Sequence, residues 1–192
     1  MKAGQIKYHL YKTYLQDYKN CDNSLIADEL KVCGGRAIAD MAVINGRMHG
    51  FEIKSDFDSF QRLENQIINY DAVFDTITLV VGKKLNKRAA KHVPRHWGIL
   101  CIYNHCDEVK FDLIRAPKEN KRIKAFNVSQ FLWKEEAINL LVKYQIEGNH
   151  KNMRKWLLWE LLSKHLEIDT LKTEVRDILR QREDWKTHSA FS

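Results

Sequence analysis

Glu52 and Lys54 stand two residues apart in the β-like run GFEIKS, residues 50 to 55. In a strand both side chains point to one face while Phe51 and Ile53 point to the other. Asp40 lies twelve residues before Glu52, on what reads as the partner strand of a hairpin, so a turn near residues 45 to 50 sets the two carboxylates side by side. Two close carboxylates repel, and a divalent cation resolves the conflict. Oxygen ligands at an incomplete site suit Mg2+ or Mn2+, which keep several waters and coordinate substrate phosphates. A lysine beside such a metal positions the attacking water or stabilises the charge that develops on phosphorus. An E-x-K triplet arises by chance on the order of once in a chain of this length. The weight therefore falls on its apolar strand neighbours, on Asp40, and on Gln66 and Tyr70 in the segment that follows.

The elements that must position these residues follow from periodicity. From Gly4 to Tyr18, Ile6, Leu10, Tyr14 and Tyr18 fall four apart and predict one helical stripe. Asp22 and Asn23 offer caps for a second helix carrying Leu25, Ile26, Glu29 and Leu30, closed by Gly34-Gly35. Residues 37 to 45 and 50 to 55 predict a hairpin with its turn beginning at Asn45-Gly46. Residues 59 to 71 place Phe60, Leu63, Ile67 and Tyr70 on one helical face with Ser59 as N-cap, and TITLVV, residues 76 to 81, predicts a strand buried on both faces. A basic helix over 83 to 92 and strands over 97 to 103 and 109 to 114 come next, and helices over 134 to 146, 151 to 166 and 168 to 182 close the chain. The expectation is an α/β fold with a mixed sheet flanked by helices, divided into a core of residues 1–130 and a helical appendage of residues 131–192.

Composition narrows the partners. The 192 residues carry 32 Lys and Arg against 25 Asp and Glu, a formal charge of +7, which attracts polyanions. Lys83, Lys84, Lys87, Arg88, Lys91 and Arg95 occur without an intervening acid, and Arg115, Lys118, Lys121, Arg122 and Lys124 surround a single Glu119. Such runs track a phosphate backbone or form a solvated face. Arg36, four residues before Asp40, reads equally as a phosphate contact or a solvated strand-start cation. No apolar run approaches a membrane span and no secretory leader is evident, so the expected location is the cytoplasm, with no membrane partner. Cys21, Cys33, Cys101 and Cys106 lack metal-ligand spacing and read as reduced structural thiols. His49, His92, His96 and His105 share no ligand spacing, and Asp56 and Asp58 read first as turn or cap residues. Trp133, Trp156, Trp159 and Trp185 sit among leucines at helical spacing, with core packing ahead of base stacking.

Asp40 and Glu52-Ile53-Lys54, with Gln66 and Tyr70 on the following helix, resemble the PD-(D/E)xK nuclease superfamily and its Q-x-x-x-Y branch, which includes the lambda-exonuclease-like enzymes. The match spans about residues 25 to 82. The residue before Asp40 is Ala39 where the family has proline, and one strand stands where the family has two. The resemblance implies a restriction-endonuclease-like fold and a Mg2+- or Mn2+-dependent deoxyribonuclease. Asp40, Glu52, Lys54, Gln66 and Tyr70 would be catalytic. The metal would be held by Asp40, Glu52, the backbone carbonyl of Ile53 and Glu29 from the preceding helix. Arg36, Lys83, Lys84, Lys87, Arg88 and Lys91 would bind the nucleic acid, DNA ahead of RNA. The competing reading is a non-catalytic nucleic-acid-binding module of a phage or defence system, and the oligomeric state is open, a dimer included.

Overall fold

The computed structural model describes residues 1–182, so the expectation for Trp185 lies outside the described residues. Six strands form one sheet whose spatial order is the order of the chain. They are β1 (Leu25–Val32), β2 (Ala37–Ile44), β3 (Met48–Lys54), β4 (Thr76–Val81), β5 (Gly98–His105) and β6 (Glu108–Arg115). The first three pair antiparallel, β3, β4 and β5 run parallel, and β6 returns antiparallel to β5. The mixed α/β class expected from the periodicities is the one observed. Every residue of β4 is buried, as an unbroken β-branched run in the middle of a sheet requires.

Two apolar cores lie on opposite faces of this sheet. The smaller joins Ile6, Leu10, Tyr11 and Leu15 to Met41, Phe51, Ile53 and Ile102, so the N-terminal segment covers that face. This segment is α1 (Ala3–His9), a π-helical turn (Leu10–Tyr14) and α2 (Gln16–Lys19). The wide turn, with Leu15 N–H donating to the Leu10 carbonyl at 2.9 Å, rotates the stripe by one residue. Tyr11 and Leu15 are therefore buried, and the predicted Tyr14 and Tyr18 are exposed.

The larger core lies against α3 (Leu63–Asp71) and the C-terminal helices. Turn structure precedes α3, so its N-cap is Arg62 and not the expected Ser59. Beyond β6 come α5 (Ala125–Ser129), α6 (Lys134–Lys143), α7 (Lys155–His165) and α8 (Ile168–Gln181), while the basic segment between β4 and β5 holds the short α4 (Asn86–Ala89). Leu158, Leu162, Leu171, Val175 and Leu179 share one core with Leu25, Ile77 and Trp97, so the 130/131 boundary falls inside a continuous apolar mass. Buried Asp75 fastens α8 to the sheet, accepting from Met48 N–H at 2.7 Å and pairing with Lys172 at 2.7 Å.

The helix expected over Leu25 to Leu30 is strand β1. Leu25, Ala27, Leu30 and Val32 all belong to the larger core, so the inward alternation skips one residue between Ala27 and Leu30. Glu29 sits at the skip with φ of 51°. The facing strand slips at the same level: Ala37 and Ala39 join the larger core, Met41 and Val43 the smaller one, with Asp40 between them. A two-three-two spacing of apolar residues mimics a helix when read linearly.

Candidate functional site

Antiparallel pairing of Met41 with Phe51, the last pair of the β2–β3 ladder, brings the next positions, Asp40 in mid-β2 and Glu52 near the end of β3, alongside each other. Period-two alternation then sends Glu52 and Lys54 to the α3 side, opposite Phe51 and Ile53. From α3, Gln66 and Tyr70 reach down one turn apart. Lys54 Nζ donates to Glu52 Oε1 at 2.6 Å and to Gln66 Oε1 at 3.2 Å. Gln66 Nε2 donates to the same Glu52 oxygen at 2.6 Å. The Tyr70 hydroxyl lies 2.6 Å from both Glu52 Oε2 and the Ile38 carbonyl, and its one proton serves one acceptor at a time. The structure thus brings Glu52, Lys54, Gln66 and Tyr70 into a single hydrogen-bonded cluster.

That cluster is closed. Glu52 is 1% exposed and Lys54 4%, and both Glu52 oxygens already face protein donors. A buried ion pair with its remaining lone pairs satisfied ties elements together, here β3 to α3 and, through Ile38, to β2. Burial, the Glu52 charge and the hydrogen bond to Glu52 hold the Tyr70 phenol well above its ordinary value. Asp40 stands at the rim, half-buried, its Oδ2 accepting from Ile53 N–H at 2.7 Å. Burial, then the Glu52 charge, push its carboxyl up to about 6.

The other residues nominated for a metal are placed differently. Glu29 lies on β1, its side chain 75% exposed, with Lys7 3.9 Å away, and it takes no part in the cluster. Ile53 enters through its N–H, as donor to Asp40. These residues do not together present an open set of carboxylate oxygens to Mg2+ or Mn2+. Among the described residues no group of three or more His, Cys, Asp or Glu is placed to hold a metal ion.

The cationic residues gather at the same end of the sheet. Gly82 N–H donates to the Lys54 carbonyl at 3.0 Å, which starts the basic segment directly beside the cluster. Within it Leu85, Ala89 and Val93 are buried four apart, and Lys83, Lys84, Lys87, Arg88 and Lys91 are exposed. Lys83 stands over the Tyr103 ring at 4.5 Å and Lys84 over Phe57 at 5.5 Å. Arg36, at the start of β2 and so at this end too, is exposed and donates from Nε to the Cys33 carbonyl at 3.0 Å. Sequence reasoning missed a second polar node: buried Asp71 accepts from Trp97 Nε1 at 2.7 Å and pairs with His96 and Arg122. An acid at the end of a helical stripe was the one available signal.

Among the described residues no helix is long and apolar enough to cross a membrane. No solved structure matches the chain. Protein cII of Enterobacteria phage P4 is 29% identical over 182 residues, covering 95% of this chain, and the chain spans 66% of that relative's length. The family described as Bacteriophage P4 protein cII matches over residues 2–191. A match along nearly the whole chain displaces the resemblance to PD-(D/E)xK nucleases, which rested on short motif pieces in about a third of it. With that resemblance go the deoxyribonuclease activity and the hydrolase class it implied. The chain belongs to the bacteriophage P4 protein cII family.

Proposed function

We propose that this chain is a non-catalytic nucleic-acid-binding protein that holds a phosphate backbone along residues 83 to 91, with Arg36 at the same end of the sheet. The observation that carries the reading is the charge there. Lys83, Lys84, Lys87, Arg88 and Lys91 are exposed on one segment, and within the described residues none forms an ion pair with a carboxylate. Exposed cations on one surface attract a polyanion and release its counterions on binding. The closed Glu52 cluster supports the non-catalytic half of the proposal, because its acid and lysine spend their hydrogen bonds on each other. Family membership is in keeping with a phage setting.

Fluorescence anisotropy with labelled single- and double-stranded DNA and RNA, over a salt series, tests it. Wild-type protein should bind with a steep salt dependence, DNA being taken as the first ligand. Replacing Lys87, Arg88 and Lys91 together by alanine should flatten the slope of log K against log salt by about 2 to 3 if all three meet phosphates of duplex DNA. Substrates incubated with Mg2+ should be recovered intact. Binding unchanged by the triple substitution, or no binding at low salt, would overturn the proposal.

A further inference from the structure

The sheet ends at β6 with an edge that the described residues leave open. Glu108, Asp112, Leu113 and Ile114 are exposed and the other residues of the strand half-buried. Leu113 is 53% exposed, and Tyr14, stacked on Phe111 at 5.9 Å between ring centres, is 40% exposed. Pairing with β5 assigns the faces. Lys110 and Asp112 stand opposite Tyr103 and Cys101 on one side, while Val109 and Phe111 pack on the smaller core on the other. A long, partly apolar edge strand is a template for another strand, and natural edges carry charges that decide which partners are tolerated.

We propose that two copies of this chain associate through β6, antiparallel, about a twofold axis at Phe111, forming one continuous sheet across the dimer. The charge pattern of EVKFDLIR, taken with the length of strand that overlaps, selects both the partner and the register: an axis at Val109 also opposes Glu108 and Lys110 but pairs only the first residues of β6. A twofold axis normal to the sheet keeps every side chain on its own face, so such an axis must pass through a residue and not between two. Centred on Lys110, the pairing sets Glu108 against Asp112. Centred on Asp112, it sets that carboxylate against its own copy. Centred on Phe111, it sets Lys110 against Asp112 twice, Val109 against Leu113 twice, and Phe111 against Phe111. Lys110, which within one chain pairs with exposed Glu108, then also faces a carboxylate across the axis on one face, and the half-exposed apolar residues beside Tyr14 meet on the other. This inference does not depend on the nucleic-acid reading, because the interface uses neither Arg36 nor the cations of residues 83 to 91.

Sedimentation velocity of the full chain over a concentration series, with charge-reversal variants, tests the register directly. The wild type should dimerise reversibly. Lys110→Asp and Asp112→Lys should each raise the dissociation constant by at least about tenfold, since each turns two attractive cross-strand pairs into repulsive ones. The double variant Lys110→Asp/Asp112→Lys should recover dimerisation, because the swapped charges are again complementary. Circular dichroism and the urea midpoint should stay near wild type for all three, separating association from folding. A wild type that is monomeric throughout, single variants that dimerise as well as wild type, or a double variant no better than the singles would each overturn the proposal.

Discussion

Replacing Lys54 by alanine should destabilise the protein through what it leaves behind. Glu52 is 1% exposed, and its Oε1 takes donors from Lys54 at 2.6 Å and Gln66 at 2.6 Å. Removing the ammonium strands a carboxylate in the core beside two neutral donors, a change that costs about 3 to 5 kcal/mol when a buried pair loses one partner. For a domain of this size that is a fall in melting temperature of roughly 6 to 20 °C. Substituting both members, Glu52→Gln with Lys54→Met, removes the charges together and keeps the Gln66 and Tyr70 contacts available to the new amide. Its stability should return to within about 1 kcal/mol of wild type or exceed it. Urea unfolding at pH 7 and differential scanning calorimetry measure both variants. A Lys54→Ala protein within 2 °C of wild type, a margin set at roughly 1 kcal/mol, would refute the claim that this cluster is a closed structural lock.

Three further expectations follow from neighbouring residues. The Asp40 carboxyl is raised to about 6, so its neutral form favours the fold below the ordinary carboxylate range and that stability is lost as pH rises through 6. Urea unfolding from pH 4 to 7.5 should show Asp40→Asn gaining on wild type by about 1 to 2 kcal/mol, discounted for part exposure, and parallel profiles would count against it. Burial lowers His49 to about 4, with its ring between Thr76 and Thr78, so its contribution is present above 6.5 and lost as pH falls toward 4. His49→Gln should flatten the acid-side decline by about 2 to 3 kcal/mol in the same titration. Gly50→Ala would place a Cβ 2.6 Å from the Phe74 ring, and chemical unfolding should register a loss of about 1 to 3 kcal/mol.

Local signals with a single physical cause were legible in the sequence. The Asn45-Gly46 turn, the buried run of β4 and the shared face of Glu52 and Lys54 each follow from turn chemistry or a period of two, and the structure has all three. What linear patterns hid was breaks in period. The kink at Glu29 and Asp40 gave β1 a helical spacing, and the π-helical turn at Leu10–Tyr14 shifted the buried stripe of the first helix. The functional reading failed for a different reason. An E-x-K, a glutamine and a tyrosine in that order bring four side chains together with Asp40 at their rim, but proximity serves a self-satisfied ion pair as well as a reaction. Spacing alone does not separate the two, and it is the family match that overturns the nuclease reading. The match over residues 2–191 draws on nearly the whole chain, including the C-terminal helices that lie outside the motif pieces.

The identity of strand order and chain order bears on how this molecule comes to be built. Each strand finds its partner in the segment just before it, so the sheet can grow by short loop closures as the polypeptide emerges, without waiting for distant pieces. The helices that cover it do not share that economy. Leu171, Val175 and Leu179 of α8 meet core residues that begin at Leu25, and Arg180 donates to the Asn23 carbonyl at 2.9 Å across 157 residues of chain. A nascent chain therefore holds a sheet with one face incompletely covered until α8 is made. That interval is when aggregation through exposed apolar surface is most threatening, and chains cut short before α8 should spend their whole lifetime in it.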